Sequence, residues 1–232
     1  MRIGILETDT LDRNIEKQYG SYAAMFETLF LAVDSKIEFS VYRVIDDVYP
    51  VAIDECDAYL ITGSKSSAYD NDPWIKKLSE YIVSLYKQNK KLIGICFGHQ
   101  IIAYALGGLA EKSDKGWGVG NVVSNNQNQP WMHTEKKQFS LLVSHQDQVT
   151  KLPADAKLIA SNEFCPNASF QIADYILTFQ GHPEFSKDYL KYLMNKRRDL
   201  IGKEKYNKAV TSLQNNHDSQ LVAQWIINFI NM

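Results

Sequence analysis

The sequence predicts an α/β fold in which helices flank a mostly parallel central sheet. Over residues 1–100, short apolar runs of strand character alternate with segments of helical period, a pattern typical of βαβ units. Residues 119–182 instead carry several β-like runs separated by turns, so we expect a smaller antiparallel β portion in the second half. Neither an internal repeat nor a linker interrupts the chain, and residues 1–232 are therefore treated as a single domain.

The first half carries four predicted strands and two predicted helices. The strands are RIGILE, IEFSVYRV, AYLITG and KLIGIC, each a short apolar or alternating run. One helix is expected within residues 19–34, where Tyr22, Met25, Phe26, Leu29 and Phe30 share a face. The second begins at NDPW, because Asp72 can cap it and Pro73 suits a first turn.

The second half is expected to contain short strands followed by helices. The strands are VGNVVS, QFSLLVSHQ, AKLIASN, SFQIA and YILTFQGH, and the helices cover residues 187–200 and 219–230. The segment at residues 124–138 is polar, so we expect a surface loop with an exposed Trp131 at its middle.

Composition narrows the possible functions. The 25 Lys and Arg residues nearly balance 27 Asp and Glu residues, and a net charge of -2 does not favour nucleic acid as a ligand. No apolar run approaches the length of a membrane span, so we expect no membrane partner and a soluble, cytoplasmic protein. The three cysteines form no C-x-x-C pair, and there is no P-loop, so we expect neither a metal nor a cofactor.

The segment G-I-C-F-G-H-Q places Cys96 where a strand should end and a helix begin. Gly94 and Gly98 would allow a sharp turn with close backbone approach, which exposes the thiol at the carboxyl edge of the sheet. The free N–H groups and dipole of the helix would favour a thiolate and stabilise an oxyanion. The alternative interpretation is a small buried thiol at the end of a strand.

A nucleophilic cysteine needs a base, and His182 in the segment TFQGHPEF is the best candidate among five histidines. Glu184 follows two residues later and can orient the imidazole, while Pro183 stiffens the spacing. A solvated His-Pro-Glu turn is the alternative. We expect His99 to be structural, and His133 and His217 to be solvated.

Together, G-I-C-F-G-H-Q and G-H-P-E resemble the motifs of the class I glutamine amidotransferases, and the resemblance extends from AYLITGS to GHPEF. It implies a flavodoxin-like domain of that family. It also implies a catalytic triad in which Cys96 is the nucleophile, His182 acts as general base and then general acid, and Glu184 orients His182.

The same resemblance implies a set of binding residues. ITGS aligns with the family's oxyanion loop, so the N–H groups of Gly63 and Phe97 would face the tetrahedral oxygen; the family's usual second glycine and proline are absent from this loop. Gln100 matches a substrate-contacting glutamine. VSHQDQV matches a stretch whose backbone, around His145, Gln146 and Asp147, holds the amino acid end of the substrate, although an ordinary turn entering a strand is an alternative.

The implied reaction is hydrolysis of glutamine to glutamate and ammonia through a γ-glutamyl thioester. The stretches ITGSKSSAYDNDPWIKKLSEYI and KGWGVG are similar to the free-standing, GMP-synthase-like branch, which includes γ-glutamyl peptidases. Three functions therefore stay open. They are hydrolysis of γ-glutamyl amides, with a synthase subunit as a possible ammonia acceptor; cleavage of glutathione-like or γ-glutamyl peptides; and a non-catalytic regulatory or binding role.

Overall fold

A computed structural model describes all 232 residues, and a nine-stranded sheet runs through its centre. The strands of this sheet are β1 (Arg2–Glu7), β2 (Glu38–Arg43), β3 (Ala58–Ile61), β4 (Lys91–Ile95), β6 (Gly118–Asn126), β7 (Gln138–His145), β9 (Ala156–Ser161), β10 (Ser169–Ile172) and β11 (Ile176–Phe179). Their order across the sheet is β2-β1-β3-β4-β11-β10-β9-β6-β7. A separate two-stranded sheet pairs β5 (Leu109–Lys112) with β8 (Asp147–Lys151).

Half of the large sheet is parallel and half antiparallel. Strands β2, β1, β3, β4 and β11 run parallel, whereas β10, β9, β6 and β7 pair antiparallel. The predicted α/β class with a smaller antiparallel portion is confirmed. One expectation is wrong: the segment YILTFQGH does not belong to the antiparallel portion alone, because β11 pairs parallel with β4. Strand character is visible in the local sequence, but the pairing partner is not, because Ile176 pairs with Leu92, 84 residues earlier in the chain.

Helices cover both faces of the sheet. They are α1 (Arg13–Tyr19), α2 (Tyr22–Leu31), α3 (Pro73–Lys87), α4 (Phe97–Ala105), α5 (Lys187–Lys196), α6 (Arg198–Ile201), α7 (Lys203–Ser212) and α8 (Ser219–Ile230). The sequence pattern does not predict α1 or α7, because each buries a single side chain. The helix expected over residues 187–200 is divided at Arg197 into α5 and α6. None of these helices has the length and hydropathy of a membrane span.

Two apolar cores follow from the alternation of side chains along the parallel strands. In β4, Ile93 and Ile95 pack against α2 and α8, whereas Leu92 packs against α3 and α4 on the opposite face. This two-sided burial explains why the strands read as continuous apolar runs. Helix α3 starts at Pro73 as expected, but the Asp72 side chain accepts no capping hydrogen bond.

The prediction of an exposed Trp131 is wrong. Trp131 is only 3% exposed, and its ring packs edge-on against Phe229 of α8 at a centroid distance of 5.6 Å. Its indole N–H donates to Gln171 Oε1 at 3.0 Å. The surrounding sequence is polar, but a single large aromatic side chain gains enough from burial to anchor the segment against the core.

The turn between β4 and α4 depends on the absence of side chains at two positions. A methyl group on Gly98 would lie 2.3 Å from the carbonyl oxygen of Ile61 in β3, and one on Gly94 would lie 2.6 Å from the carbonyl oxygen of Gly98. Both contacts are to backbone atoms, which cannot move aside cheaply. The helix can therefore approach the sheet closely only with glycine at these positions.

Gly98→Ala is expected to lower the free energy of unfolding by at least about 3 kcal/mol, because the added methyl group overlaps backbone. The matched control is Gly107→Ala at the end of α4. Gly107 has φ +87°, but a methyl group added there would meet no atom within 4 Å. The control substitution should therefore lower the free energy of unfolding by only about 1–2 kcal/mol, through backbone strain. Urea unfolding of both variants measures the difference; equal destabilisation would contradict the importance of close packing at Gly98.

Candidate active site

Cys96 occupies a strained turn at the carboxyl end of β4. Its φ and ψ are 53° and -100°, a conformation that residues other than glycine rarely adopt. The backbone is fixed on both sides, because Cys96 N–H donates to Phe179 O at 2.9 Å and Gln100 N–H donates to Cys96 O at 3.0 Å. The side chain is 6% exposed. The turn therefore holds the thiol at the edge of the sheet, beside the first residues of α4.

His182 and Glu184 follow β11, the strand that pairs parallel with β4. Parallel strands end at the same edge of a sheet, so this pairing brings His182 to the neighbourhood of Cys96. The imidazole Nδ1 and Glu184 Oε1 are 2.7 Å apart, and the His182 ring stacks on Phe185 with centroids 3.7 Å apart. With Nδ1 bonded to Glu184, Nε2 is the nitrogen that remains for chemistry.

The electrostatic environment favours a protonated His182. Burial by itself lowers the pKa of the imidazole, but the negative charges of Glu184 and Cys96, together with the hydrogen bond to Glu184, outweigh it. The net result is that the pKa of His182 lies well above its ordinary value. The site can therefore hold a proton at neutral pH in position for transfer to a leaving group.

Gly63, after β3, lies against both residues. A methyl group in its place would be 2.8 Å from His182 Cε1 and 3.7 Å from Cys96 Cβ. The Gly63 N–H makes no hydrogen bond within the protein. Phe97 is the first residue of α4, so its N–H belongs to the amides that a helix leaves free. Two backbone donors without a partner in the protein thus lie next to Cys96, one after β3 and one at the start of α4.

Gln180 is a site residue that the sequence motifs did not single out. It lies one position beyond Phe179, which is in register with Ile95, and so it stands beside Cys96. Its Nε2 approaches Cys96 Sγ at 3.6 Å, and its Oε1 accepts from Gln100 Nε2 at 3.1 Å. Gln180 is part of the segment TFQGHPEF, but its position beside Cys96 follows only from the register between β4 and β11.

The thiol opens into a polar cavity of about 270 Å³. Its lining includes five of the residues predicted for the site: Cys96, Gln100, His145, Gln146 and Asp147. The remaining lining residues are Ser64, Lys65, Ser66, Ser67, Tyr69, Lys112, Trp117, Ser144 and Arg197. The predicted nucleophile and the predicted substrate-contacting segment therefore share one cavity.

The segment from His145 to Asp147 is held by one hydrogen bond to α4 and one to the loop after β3. The Asp147 carbonyl oxygen accepts from Gln100 Nε2 at 2.8 Å and lies 2.8 Å from His145 Nδ1. The Asp147 carboxylate accepts from Ser67 Oγ at 2.6 Å. Burial lowers the pKa of His145 to about 4, so this imidazole is neutral at physiological pH.

His99 points away from this cavity despite its place in the motif. It is fully buried, packs beside Phe170, and its Nδ1 lies 2.8 Å from Thr178 Oγ1. Burial, together with His145, lowers the pKa of His99 to about 3. His133 is exposed, and His217 is half-buried with its Nδ1 2.7 Å from Ser219 Oγ.

A second cavity, of about 220 Å³, shares Trp117 and His145 with the first but has a mostly apolar lining. Cys165 lies in its wall, and burial raises the pKa of that thiol to about 12. No group of three or more His, Cys, Asp and Glu side chains is arranged to hold a metal ion. The cavity that contains Cys96 is therefore the more polar of the two, whereas Gly63, Phe97, His182 and Glu184 line neither cavity.

Comparison with known proteins places this geometry in context. The family model for class I glutamine amidotransferases matches residues 19–197. The chain is similar to γ-glutamyl peptidase 3 of Arabidopsis thaliana, with 30% identity over 90% of this chain and 88% of that protein. A glutamine amidotransferase-like protein of Schizosaccharomyces pombe shares 32% identity over 98% of each chain. Among solved structures, a glutamine amidotransferase from Methylobacillus flagellatus superposes with a TM-score of 0.77 at 20% identity, covering 99% of this chain and 94% of that one.

The two buried neutral imidazoles predict acid sensitivity of the fold. Their pKa values are depressed in the folded state, so the unfolded chain binds more protons below about pH 6.5, and stability is lost as the pH falls. His99→Asn keeps a polar atom near Thr178 but removes one titrating group. Between about pH 6 and 4.5, we expect the free energy of unfolding of this variant to fall less steeply than that of the wild type. The difference between the two slopes should be up to about 1.4 kcal/mol per pH unit.

Denaturant unfolding across this pH range measures the slope. The matched control is His133→Asn at an exposed position, which should retain the wild-type slope. An unchanged slope in His99→Asn would show that His99 does not titrate between the folded and unfolded states in this range.

Proposed function

Because this chain belongs to the class I glutamine amidotransferase family, we propose that it is a cysteine-dependent hydrolase of γ-glutamyl amides. The observation that carries the proposal is the pairing of two strand ends: Cys96 in a strained turn after β4, and the His182–Glu184 pair after β11. A thiol, a raised-pKa imidazole and an orienting carboxylate at one sheet edge suit acyl transfer.

In the first half of the reaction, the Cys96 sulfur attacks the γ-carbonyl carbon of the substrate. Negative charge then develops on the carbonyl oxygen, which the N–H groups of Gly63 and Phe97 would stabilise. The C–N bond breaks as the leaving nitrogen takes the proton held by His182. The products of this step are a γ-glutamyl thioester on Cys96 and a free amine, which is ammonia when glutamine is the substrate.

In the second half, His182 accepts a proton from water, and the resulting hydroxide attacks the thioester carbon. The C–S bond breaks, the sulfur recovers its charge or proton, and glutamate leaves. Glu184 keeps the imidazole oriented through both steps by its bond to Nδ1. No cofactor is needed, because the protein supplies the nucleophile, the proton carrier and the oxyanion donors.

Recognition of the γ-glutamyl group would use the polar cavity beside the thiol. Gln100, His145, Gln146 and Asp147 line it, and Asp147 supplies a carboxylate suited to the substrate's ammonium group. The similarity to proteins named γ-glutamyl peptidases supports γ-glutamyl peptides as substrates of this chain, in addition to glutamine. Similarity to a GMP synthase over 72% of this chain leaves a synthase subunit as a candidate acceptor of ammonia.

Cys96→Ala is expected to reduce kcat/KM for γ-glutamyl amides by at least about 10³-fold with the fold intact, because no other thiol lies in the cavity. A glutamine-analogue electrophile should label Cys96 alone, since neither Cys56 nor Cys165 lines this cavity. The control Cys56→Ala should keep wild-type labelling. Persistent turnover in Cys96→Ala would refute the mechanism, and a wild-type chain without turnover would favour a non-catalytic role.

Glu184→Gln is expected to lower kcat by about 10²- to 10⁴-fold, because the imidazole loses its charged partner. Burial lowers the pKa of His182 and the Glu184 charge raises it, so the pKa should fall when that charge is removed. The alkaline limb of the pH–rate profile should therefore move to lower pH. Glu204→Gln, an exposed site paired with Lys208, is the control; an alkaline limb at the same pH in Glu184→Gln and wild type would contradict this role for Glu184.

A further inference from the structure

Two cations in the wall of the catalytic cavity have no acidic partner. Arg197 and Lys112 both line the cavity that contains Cys96, and neither takes part in any ion pair of the protein. The third cation of the lining, Lys65, is different because its Nζ bonds to Asp9 Oδ1 at 2.9 Å. Positive charge is therefore left uncompensated at the mouth of the site.

Arg197 is held in place without being neutralised. Its Nη1 donates to Ser144 Oγ at 2.8 Å, and its guanidinium carbon lies 5.1 Å from the centre of the Trp117 ring. Both partners are themselves part of the cavity lining. The hydroxyl and the aromatic ring orient the guanidinium group but do not neutralise its charge or occupy its other N–H donors. A carboxylate of the substrate could therefore bind to them.

The charges of the cavity match one class of substrate better than another. Asp147 is the only acidic side chain in the lining, and it shares that lining with two unpaired cations. Glutamine brings one carboxylate and one ammonium group. A γ-glutamyl peptide brings one ammonium group and two carboxylates, one on the γ-glutamyl group and one on the leaving group. The second substrate complements Asp147, Arg197 and Lys112 with no charge left over.

We propose that Arg197 binds the carboxylate of the leaving group, while Lys112 pairs with that of the γ-glutamyl group, so that the enzyme prefers γ-glutamyl peptides whose leaving amine is an amino acid or peptide with a free carboxylate. This rests on the proposed hydrolase function. When the C–N bond breaks and the C–S bond forms, the amine takes its proton from His182 while its carboxylate stays paired with Arg197. Water can then enter after the product has left.

The test compares γ-glutamylglycine with γ-glutamylglycinamide, which differ in the charge of the leaving group. The wild-type enzyme should favour the acid in kcat/KM by at least about 10-fold, since charge-assisted bonds to Arg are strong. In Arg197→Gln the ratio should fall towards one. Arg197→Lys, which keeps the charge but loses the planar fork, should give an intermediate ratio.

Arg198→Gln is the matched control. This neighbouring arginine stacks on Tyr206 and does not line the cavity, so its loss removes the same charge while the wild-type ratio is kept. Two outcomes would overturn the proposal. A wild-type enzyme that does not prefer the acid refutes it without any variant, and an equal loss for both substrates in Arg197→Gln would assign Arg197 to the carboxylate of the γ-glutamyl group.

Failure of the underlying function would look different. In that case the wild-type chain would hydrolyse none of γ-glutamylglycine, its amide and glutamine, and Cys96→Ala would not differ from it. Both proposals would then be wrong together. Hydrolysis of both substrates at similar rates would support the proposed hydrolase function and refute only the proposed binding site for the leaving-group carboxylate.

Discussion

The candidate site depends on the parallel pairing of β4 with β11. This pairing aligns Ile95 with Phe179, and the residues just beyond each strand are then forced into contact. Cys96 meets Gln180 across the strand ends, and His182 follows within two residues. The hydrogen bond from Cys96 N–H to Phe179 O extends the ladder by one step into the turn. A change in the register of β11 would move the imidazole away from the thiol, whatever the local sequence of either motif.

Close packing around this pair leaves no room for side chains at three glycines. Gly94 and Gly98 let α4 descend onto β3 and β4, and Gly63 lets the chain after β3 touch the His182 ring. The strained backbone of Cys96 is held within this packing by bonds on both sides. The same elements that position the thiol also leave the amides of Gly63 and Phe97 unbound beside it. The position of the thiol and the unpaired state of these two amides therefore have one structural origin.

Local features of the fold could be predicted from the sequence more reliably than its pairings. The α/β class, the start of α3 at Pro73 and the helix after Cys96 follow from apolar period and turn residues. The parallel partner of β11 could not be read locally, and so Gln180 was missed although it lies two residues before His182. Trp131 was misjudged because its neighbours are polar, whereas its burial depends on Phe229 in α8, nearly a hundred residues away. The unpaired charge of Arg197 was equally invisible, since a charge counts as unpaired only when its surroundings are known.

The proposed mechanism requires a covalent γ-glutamyl intermediate on Cys96, formed and released with the help of His182. Rapid acid quenching of the enzyme during turnover of a γ-glutamyl peptide, followed by mass spectrometry of its proteolytic fragments, detects that intermediate. We expect one γ-glutamyl group on the fragment containing Cys96, released by hydroxylamine as expected of a thioester. Turnover with no such adduct on Cys96, or with the group attached to another residue, would contradict the mechanism.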